Sequence, residues 1–182
     1  MSDLPTPSQT VGPFFRLGMD RPEWSDLTRD GPRGEKIVIE GRVLDGDGAP
    51  VDDALLEIWQ ADAAGRYEHP EFHGFGRSIT DEEGRYRFIT IRPGRVPGHA
   101  GALQAPHVNV TIFARGLLKH LVTRIYFADE PSNETDPVFA GIGDAAVRRT
   151  LLAVREQGGA GVPVYRFDVV LQGKGETAFF DL

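Results

Sequence analysis

The sequence predicts a mostly β fold, an antiparallel β-sandwich with an extended N-terminal arm and one or two peripheral helices. Short apolar segments of strand length recur along the chain, separated by turn sequences rich in Gly, Pro and Asp. Only the segment from Asp144 to Gln157 repeats its apolar residues at helical spacing. Because 182 residues bury a sizeable core without disulfides or metals, one folded domain is expected.

Residues 1–34 are predicted to form the extended arm, and residues 35–182 the β-sandwich domain. The arm holds five prolines and several glycines, which disfavour both helix and strand. Its run from Thr10 to Phe15 is too apolar to be stable in water. An arm of this length is either mobile or lies on another surface, and we expect it to be partly ordered.

Six strands are predicted in the domain. In the first, Ile37, Ile39 and Val43 share a face, and two Asp-Gly steps then supply a tight turn. The last has the clearest alternation, with Tyr165 and Phe167 on its apolar face. The predicted strands are Ile37 to Val43, Ala54 to Gln60, Arg85 to Ile91, His107 to Ala114, Leu121 to Phe127 and Val164 to Leu171.

The predicted helix covers the segment from Asp144 to Gln157. Val147, Leu151 and Val154 share one of its faces. Asp144 is a suitable N-cap, and Gly158 a suitable C-terminal stop. We expect this helix to lie at the edge of the sandwich.

Composition excludes several classes of function and site. The chain has no cysteine, so it has neither disulfides nor thiolate ligands. A net charge of −7 argues against nucleic acid and anionic membranes as partners, although it does not exclude a small anionic substrate. We see no signal peptide and no apolar run long enough to span a membrane, and we expect a cytoplasmic location.

Known nucleophile and phosphate motifs are absent from the sequence. There is no G-x-S-x-G elbow, no phosphate-binding loop and no convincing dinucleotide fingerprint. Hydrolysis by a pair of carboxylates stays open, but nothing singles out one pair among 27 acidic residues.

Among the five histidines, His107 has the clearest candidate role. It opens a predicted strand on which Asn109 and Thr111 share its face, opposite Val108 and Val110. Polar residues at this spacing face solvent or line a pocket. Two histidines at i and i+2 would clasp a metal ion, but an amide at the second position is a poor ligand for ferric iron or zinc. A hydrogen-bonded structural role is therefore favoured for His107.

The other histidines lie in segments that are unlike metal sites. His69 and His73 are four residues apart, which suits a metal on a helix, but Pro70 and the glycines nearby argue against a helix. His99 lies in a Pro- and Gly-rich stretch, and His120 precedes a strand with no evident partner. We interpret the loop histidines as solvated.

Arg124 stands in the middle of the apolar strand from Leu121 to Phe127. Two interpretations remain open for it. Its stem can cover the sheet while the guanidinium faces water. Alternatively, it lines a pocket and offers a bidentate fork to a carboxylate.

Several segments, in order along nearly the whole chain, together resemble the intradiol ring-cleavage dioxygenases. The most specific are the tryptophan-glutamine strand Leu56–Asp62, the Pro-Gly loop Ile91–Gly94 and the Pro-His segment Ala105–His107. The others are Thr6–Phe14, Gly65–Tyr67, Gly76–Arg77, Thr80–Asp81, Gly84, Tyr86, Phe88 and Thr123–Phe127. The resemblance implies non-haem iron chemistry, in which O2 opens a catechol ring between its two hydroxylated carbons.

The resemblance also identifies the positions of the metal ligands. Catalytic members of the family hold ferric iron with two tyrosinates and two histidines, and the matching positions here are Tyr67, Val96, His107 and Asn109. One ligand of each type is lost, at Val96 and Asn109. The resemblance therefore implies that this chain holds no metal and has no catalytic residue of its own. Tyr67 and His107 are then remnants that pack or form hydrogen bonds.

Within the family, the chain resembles the iron-free α subunit of a two-chain enzyme. This implies a catalytic β subunit of the same family that holds Fe(III), a higher hetero-oligomer, and a small aromatic substrate that carries a carboxylate. It further implies that Thr10, Gly12, Pro13, Phe14 and Arg124 contribute to the substrate pocket of that partner. The family often has tyrosine where Phe14 stands, so the hydroxyl of that position is missing here.

Two alternatives remain. One is a non-catalytic β-sandwich module that binds a ligand without a catalytic partner. The other is an enzyme that holds iron differently, through Tyr67, His107 and a loop histidine such as His69 or His73.

Overall fold

The computed structural model describes residues 7–67, 69–156 and 161–181. Its helices are α1 (Pro13–Met19), α2 (Pro137–Gly141) and α3 (Ala145–Arg149), with 3-10 turns at Pro22–Ser25, His99–Gly101 and Pro131–Thr135. Its strands are β1 (Lys36–Leu44), β2 (Leu55–Gln60), β3 (Phe75–Ile79), β4 (Arg85–Ile91), β5 (Val96–Pro97), β6 (Leu103–Gln104), β7 (His107–Phe113), β8 (Leu121–Phe127), β9 (Leu152–Arg155), β10 (Val164–Arg166) and β11 (Val169–Val170).

Nine of these strands form one large sheet, and β5 and β6 form a separate hairpin. From one edge the sheet runs β4, β1, β10 with β11, β9, β8, β7, β2 and β3. It curls around one apolar core until its edge strands meet, where the Arg87 amide donates to Ser78 Oγ at 3.3 Å. The core lies inside this nearly closed barrel, and its largest fully buried side chains include Phe88, Phe127 and Tyr165.

The mostly β prediction is confirmed, but the sheet is mixed rather than purely antiparallel. β1 pairs in parallel with β10 and β11, and β8 pairs in parallel with β9. Parallel neighbours need a long crossover connection, often helical. Residues 128–151, which contain α2 and α3, supply that crossover between β8 and β9.

The predicted helix from Asp144 to Gln157 is wrong beyond its first turn. Asp144 does cap it, since its carboxylate accepts from the Ala146 amide at 2.7 Å. The helix ends at Arg149, however, and Leu152–Arg155 form β9 between β8 and β10. Strand pairing with two neighbours outweighs the local helical pattern here. Residues 157 and 158, including the predicted stop, lie outside the described residues.

The other predicted strands are present, and the last one is interrupted. β10 and β11 are separated at Phe167 and Asp168, where the Asp168 carboxylate accepts from the Arg42 amide at 2.9 Å. Gly41 permits this interruption, because a Cβ there would lie 1.8 Å from the Phe167 carbonyl oxygen. The apolar face is nevertheless as predicted, with Tyr165, Phe167 and Val169 all buried.

The N-terminal arm is not free of regular structure, because Pro13–Met19 form helix α1. The sequence missed this helix because prolines dominate the segment, although a proline is well tolerated in a first helical turn. Farther along the arm, the Leu27 amide donates to the Ile89 carbonyl oxygen of β4 at 2.8 Å. The division at residue 34 into arm and domain stays a prediction.

Strand β3 is absent from the sequence predictions because Gly74 precedes it and Gly76 lies within it. The structure requires Gly76, since a Cβ there would lie 2.6 Å from Leu27 Cδ1. The arm therefore crosses β3 closely. Among the described residues, the helices are all too short or too polar to cross a membrane.

Candidate functional site

A cleft of about 680 Å³ lies on the outer face of strands β3, β2, β7 and β8. Strand register builds its floor. Phe75 is paired with Trp59, Trp59 with Asn109, and Asn109 with Arg124. These four side chains therefore form one row across four strands, and all of them line the cleft.

Alternation along the strands separates the cleft from the core. On β7, Val108, Val110 and Ile112 are buried in the core, whereas His107 and Asn109 line the cleft. The two-faced strand that the sequence predicts is thereby confirmed. Of the two open possibilities for its polar face, the structure shows a pocket.

The loop that carries Tyr67 is fixed by a buried carboxylate. Asp62 accepts from the amides of Ala64 and Arg66, each at 2.9 Å, and is paired with the Arg66 guanidinium at 2.7 Å. Burial alone would raise the pKa of Asp62, but the hydrogen bonds from Arg66 hold it below its usual value. The carboxylate therefore stays ionised and holds the turn closed.

A glycine brings this loop against the segment that carries Val96. Gly65 has a φ of +80°, and a Cβ there would lie 1.9 Å from the Arg95 carbonyl oxygen. The Gly94 amide also donates to the Asp62 carbonyl oxygen at 2.9 Å. These contacts place Tyr67 and Val96 together at the rim of the cleft.

A directed chain of hydrogen bonds crosses the cleft. His107 Nδ1 lies 2.8 Å from the Ala105 carbonyl oxygen, which can only accept, so Nε2 of the neutral ring is the acceptor. The Tyr67 hydroxyl, 3.3 Å from Nε2, donates to it. Asn109 Nδ2 donates to that hydroxyl at 3.2 Å, and Arg124 Nε donates to Asn109 Oδ1 at 3.1 Å.

The Arg124 guanidinium continues this chain toward the interior. Its Nη1 donates to Gln104 Oε1 at 2.8 Å and to the Tyr126 hydroxyl at 3.3 Å. Tyr126 in turn donates to buried Asp136 at 3.2 Å. Arg124 is therefore a cleft residue, which resolves the two interpretations in favour of a pocket.

Burial and charge keep the histidine neutral. Burial of His107, reinforced by the nearby Arg124 cation, lowers its pKa to about 4. Burial likewise raises the pKa of Tyr126 to about 12, so its hydroxyl stays protonated. At neutral pH, His107 is thus an acceptor for Tyr67 rather than a cation.

The four positions that the resemblance assigns to iron ligands do meet in this one cleft. Tyr67, Val96, His107 and Asn109 all line it. Val96 has no donor atom, and the amide of Asn109 is engaged with Tyr67 and Arg124. The residues present therefore do not fit a ferric ion, which takes imidazole and anionic oxygen donors.

The alternative iron site with a loop histidine finds no geometric basis. His73 lines a separate cavity of about 210 Å³ beside the arm. The part of the cleft lining that the structure describes includes neither His69 nor His73. Within residues 7–67, 69–156 and 161–181, no group of three or more His, Cys, Asp or Glu side chains is arranged for a metal.

The predicted pocket residues of the arm lie elsewhere. Thr10 Oγ1 accepts from the Gly116 amide at 2.8 Å, which ties the arm to the β7–β8 turn. Phe14 on α1 is 84% exposed, and a Cβ on Gly12 would meet open space. The side chain of Pro13 lies outside what the structure describes. The described lining of the cleft that holds Arg124 includes no residue of this segment.

Sequence reasoning missed several residues of the site. Trp59 and Phe75 form its aromatic floor, His120 lines its edge and stacks 5.6 Å from Phe113, and Gln104 accepts from Arg124. Only register across four strands reveals the aromatic row. The one available signal was the alternation of β2, which turns Trp59 away from buried Ile58.

Comparison with known proteins finds similarity to dioxygenases. The family model described as Dioxygenase matches residues 12–173. The chain is 42% identical over 193 residues to the protocatechuate 3,4-dioxygenase α chain of Pseudomonas putida, covering 97% of this chain and 96% of that one. It is also 42% identical over 173 residues to the β chain of that enzyme from Burkholderia cepacia, covering 84% and 73%.

A solved structure agrees with this similarity. The dioxygenase domain of a dioxygenase and carbohydrate-binding fusion from Streptomyces sp. SirexAA-E superposes with a TM-score of 0.65 at 31% identity, covering 96% of this chain and 99% of that one. Fold and sequence similarity thus agree over almost the whole length. The chain belongs to the intradiol ring-cleavage dioxygenase family.

Proposed function

We propose that this chain is the non-iron-binding α subunit of a protocatechuate 3,4-dioxygenase. A related β chain would hold Fe(III), and the complex would cleave protocatechuate with O2 to 3-carboxy-cis,cis-muconate. One observation carries the proposal. Of the four predicted ligand positions in the cleft, only Tyr67 and His107 keep a residue type that the family uses as an iron ligand, and the two are hydrogen-bonded to each other.

The hydrogen bonds that Tyr67 and His107 already form support a structural role for both residues. Iron would have to displace the Tyr67 hydroxyl from His107 Nε2 and from the Asn109 amide. The two hydrogen bonds of the Tyr67 hydroxyl would then be lost, and only two ligands, instead of the family's four, would compensate for that loss. The similarity to a named α chain over 97% of this chain agrees with this interpretation.

The exposed side chains of the arm support a contribution of the arm to the partner. Thr10 fixes its start to the β7–β8 turn, while Phe14 and Leu17 are 84% and 68% exposed on α1. Burial of each of these side chains against a partner would contribute roughly 1.5–3 kcal/mol of favourable free energy. We propose that the β subunit covers this helix, and that Thr10, Gly12, Pro13 and Phe14 help to shape the pocket around its substrate.

In that pocket the iron of the β subunit supplies the Lewis-acid chemistry. This chain would exclude water and orient the aromatic ring. A pocket role for Arg124 in the partner stays a prediction, since its guanidinium lies in this chain's own cleft. A higher hetero-oligomer and a cytoplasmic location belong to the same proposal.

Co-expression with a β chain that carries the His-x-His motif tests the proposal. The two chains should co-purify, contain one iron per pair and consume O2 when protocatechuate is added. A complex with His107→Asn in this chain should keep its iron, because His107 is not a ligand.

Two results would overturn the proposal. One is stoichiometric iron, with its wine-red tyrosinate absorption, on this chain alone. The other is loss of half or more of the iron in the His107→Asn complex. Failure of the two chains to associate would instead favour a β-sandwich module that acts without a catalytic partner.

A further inference from the structure

A further cavity, of about 550 Å³, lies on the outside of the barrel, where the edge strands β3 and β4 approach each other. Its volume suits a small ligand better than a macromolecule. Two carboxylates belong to its described lining, against four arginines, namely Arg42, Arg85, Arg87 and Arg166. Cations thus outnumber anions around this cavity, although the chain as a whole has a net charge of −7.

Strand register gathers these arginines on one face of the sheet. Arg42 of β1 stands directly opposite Arg85 of β4, and Glu40 of β1 stands between Arg87 of β4 and Arg166 of β10. Like charges directly opposite each other on a sheet are destabilising. The pairing of Arg42 with Arg85 is therefore unfavourable in the ligand-free fold, and a bound anion would relieve it.

Two of the four arginines are balanced by neighbouring carboxylates. Arg85 pairs with Asp81 at 2.8 Å and with Glu83 at 2.6 Å. Arg166 pairs with Glu156 at 2.7 Å. Neither Glu83 nor Glu156 belongs to the described lining, so these two carboxylates do not occupy the cavity itself.

Arg42 and Arg87 are the cations without a close partner. Asp168 accepts from the backbone amide of Arg42, but the Arg42 guanidinium has no hydrogen bond or ion pair to any residue that the structure describes. Arg87 Nε lies 3.9 Å from Glu40, which is too far for a hydrogen bond. Ser78 Oγ accepts from the Arg87 amide at 3.3 Å, so the Ser78 hydroxyl can still donate into the cavity.

The spacing of the two cations suits a ligand with more than one anionic group. Arg42 and Arg87 are diagonal neighbours across β1 and β4, a relationship that separates two side chains by roughly 7–8 Å at their bases. Their long side chains can therefore reach two adjacent groups of one ligand. A guanidinium fork matches the oxygen pair of a carboxylate or a phosphate.

We propose that this cavity binds a small polyanion with two neighbouring oxyanion groups, held by Arg42, Arg87 and the Ser78 hydroxyl. The oxyanions are phosphates or carboxylates, since both fit the same donors. Such a ligand contacts β1, β3 and β4, so it also stabilises the seam at which the barrel closes. The proposal does not depend on the proposed function of the chain.

Calorimetric titration of the full-length chain tests the proposal, with inorganic pyrophosphate and citrate as probes. The ionic strength is fixed at about 0.15 M, so that general screening of charge is constant. At least one probe should bind with one molecule per chain, and acetate should not bind. Binding of pyrophosphate alone identifies a phosphate ligand, and binding of citrate alone a carboxylate ligand. Failure of both probes to bind would overturn the proposal.

Arg42→Gln locates the site. It should weaken binding of the probe at least tenfold. Its urea midpoint without ligand should be unchanged or higher, because the repulsion from Arg85 is removed. Arg149→Gln, a change at an exposed arginine of α3, removes the same charge and should leave the affinity unchanged. A lowered midpoint for Arg42→Gln, or equal affinities for the two variants, would overturn the proposal.

Glu40→Gln tests the same site in the opposite direction. Glu40 lines the cavity, lies near Arg87 and accepts from Arg166 at 3.1 Å, so its carboxylate competes with a bound anion. Binding of the probe to this variant should be several-fold tighter than to the wild type. Unchanged or weaker binding would contradict a ligand held between these arginines and overturn the proposal.

Discussion

The Tyr67 hydroxyl donates to His107 Nε2 across 3.3 Å, so two of the four residues at predicted ligand positions are hydrogen-bonded to each other. Asn109, at a third of these positions, donates to the same hydroxyl at 3.2 Å. These polar groups of the cleft form a connected network that ends at Arg124.

The first prediction concerns the pH dependence of stability. In the folded chain the pKa of His107 is about 4, against 6.5 for an unperturbed histidine, because burial and then Arg124 disfavour the cation. Between these values the unfolded state binds a proton that the folded state does not, so stability falls as pH drops from about 6.5 to 4. At ~1.4 kcal/mol per pKa unit, the loss is about 3 kcal/mol.

Urea unfolding at several pH values measures this loss. His107→Gln removes the titrating group, so its free energy of unfolding should decline less over the same interval. Equal slopes for the variant and the wild type would show that His107 is not the source. The paired carboxylates, such as Asp62 and Asp129, have lowered pKa values and act at more acidic pH.

The second prediction concerns metal binding. Val96 and Asn109 line the same cleft as Tyr67 and His107. The double variant Val96→Tyr, Asn109→His should therefore bind a ferric ion and show tyrosinate charge-transfer absorption, because two donors of each type then converge. Metal analysis and visible spectra check this.

The matched controls are the two single variants. Each supplies only three donors and should bind iron at least tenfold more weakly than the double variant. A double variant that purifies folded but without iron affinity would show that the four positions do not converge closely enough.

The third prediction concerns the loop that positions Tyr67. Gly65→Ala forces a Cβ to within 1.9 Å of the Arg95 carbonyl oxygen at a φ of +80°. We expect the free energy of unfolding to fall by more than ~3 kcal/mol. The new Cβ would clash with a rigid backbone atom, and alanine would have to adopt a left-handed conformation. Urea unfolding measures it.

Gly101 offers the matched control. Its φ is +81°, but an added Cβ would meet nothing within 4 Å. Gly101→Ala should thus cost only the conformational strain, about 1 kcal/mol. Similar costs for the two variants would contradict the contact with Arg95 as the deciding factor.

The fourth prediction concerns the attachment of the arm. Arg77 pairs with Glu57 at 2.6 Å and lies 5.2 Å from the Trp24 ring centroid. Arg77→Gln should weaken the attachment of the arm to the sheet by about 1–2 kcal/mol, since it removes a partly buried ion pair with Glu57 and a cation–π contact with Trp24. Trypsin should then cleave within residues 16–33 several-fold faster.

Arg87→Gln is the control for this experiment. Arg87 is also on the sheet, but it is exposed and lies 3.9 Å from Glu40. Its loss should leave the cleavage rate of the arm unchanged. Equal rates for all three proteins would mean that Arg77 does not hold the arm.

Local patterns were sufficient for most of the strands and failed at particular places. The alternation of apolar and polar residues located β7 and its two faces, because successive side chains of a half-buried strand point to opposite sides of the sheet. The segment after Arg149 carried a helical pattern but became β9, because strands β8 and β10 lie on either side of it. A short sequence segment does not show which distant strands will pair with it.

The sequence by itself determined the family and the mostly β architecture, and its resemblance to that family predicts that one ligand of each type is lost, at Val96 and Asn109. These follow from residue identities alone. Only the tertiary structure decided that Tyr67 is hydrogen-bonded to His107, that Arg124 belongs to the same cleft, and that Thr10 of the arm is tied to the β7–β8 turn. The reason is physical, because register between distant strands sets which side chains meet, and one residue of slippage would turn each to the other face.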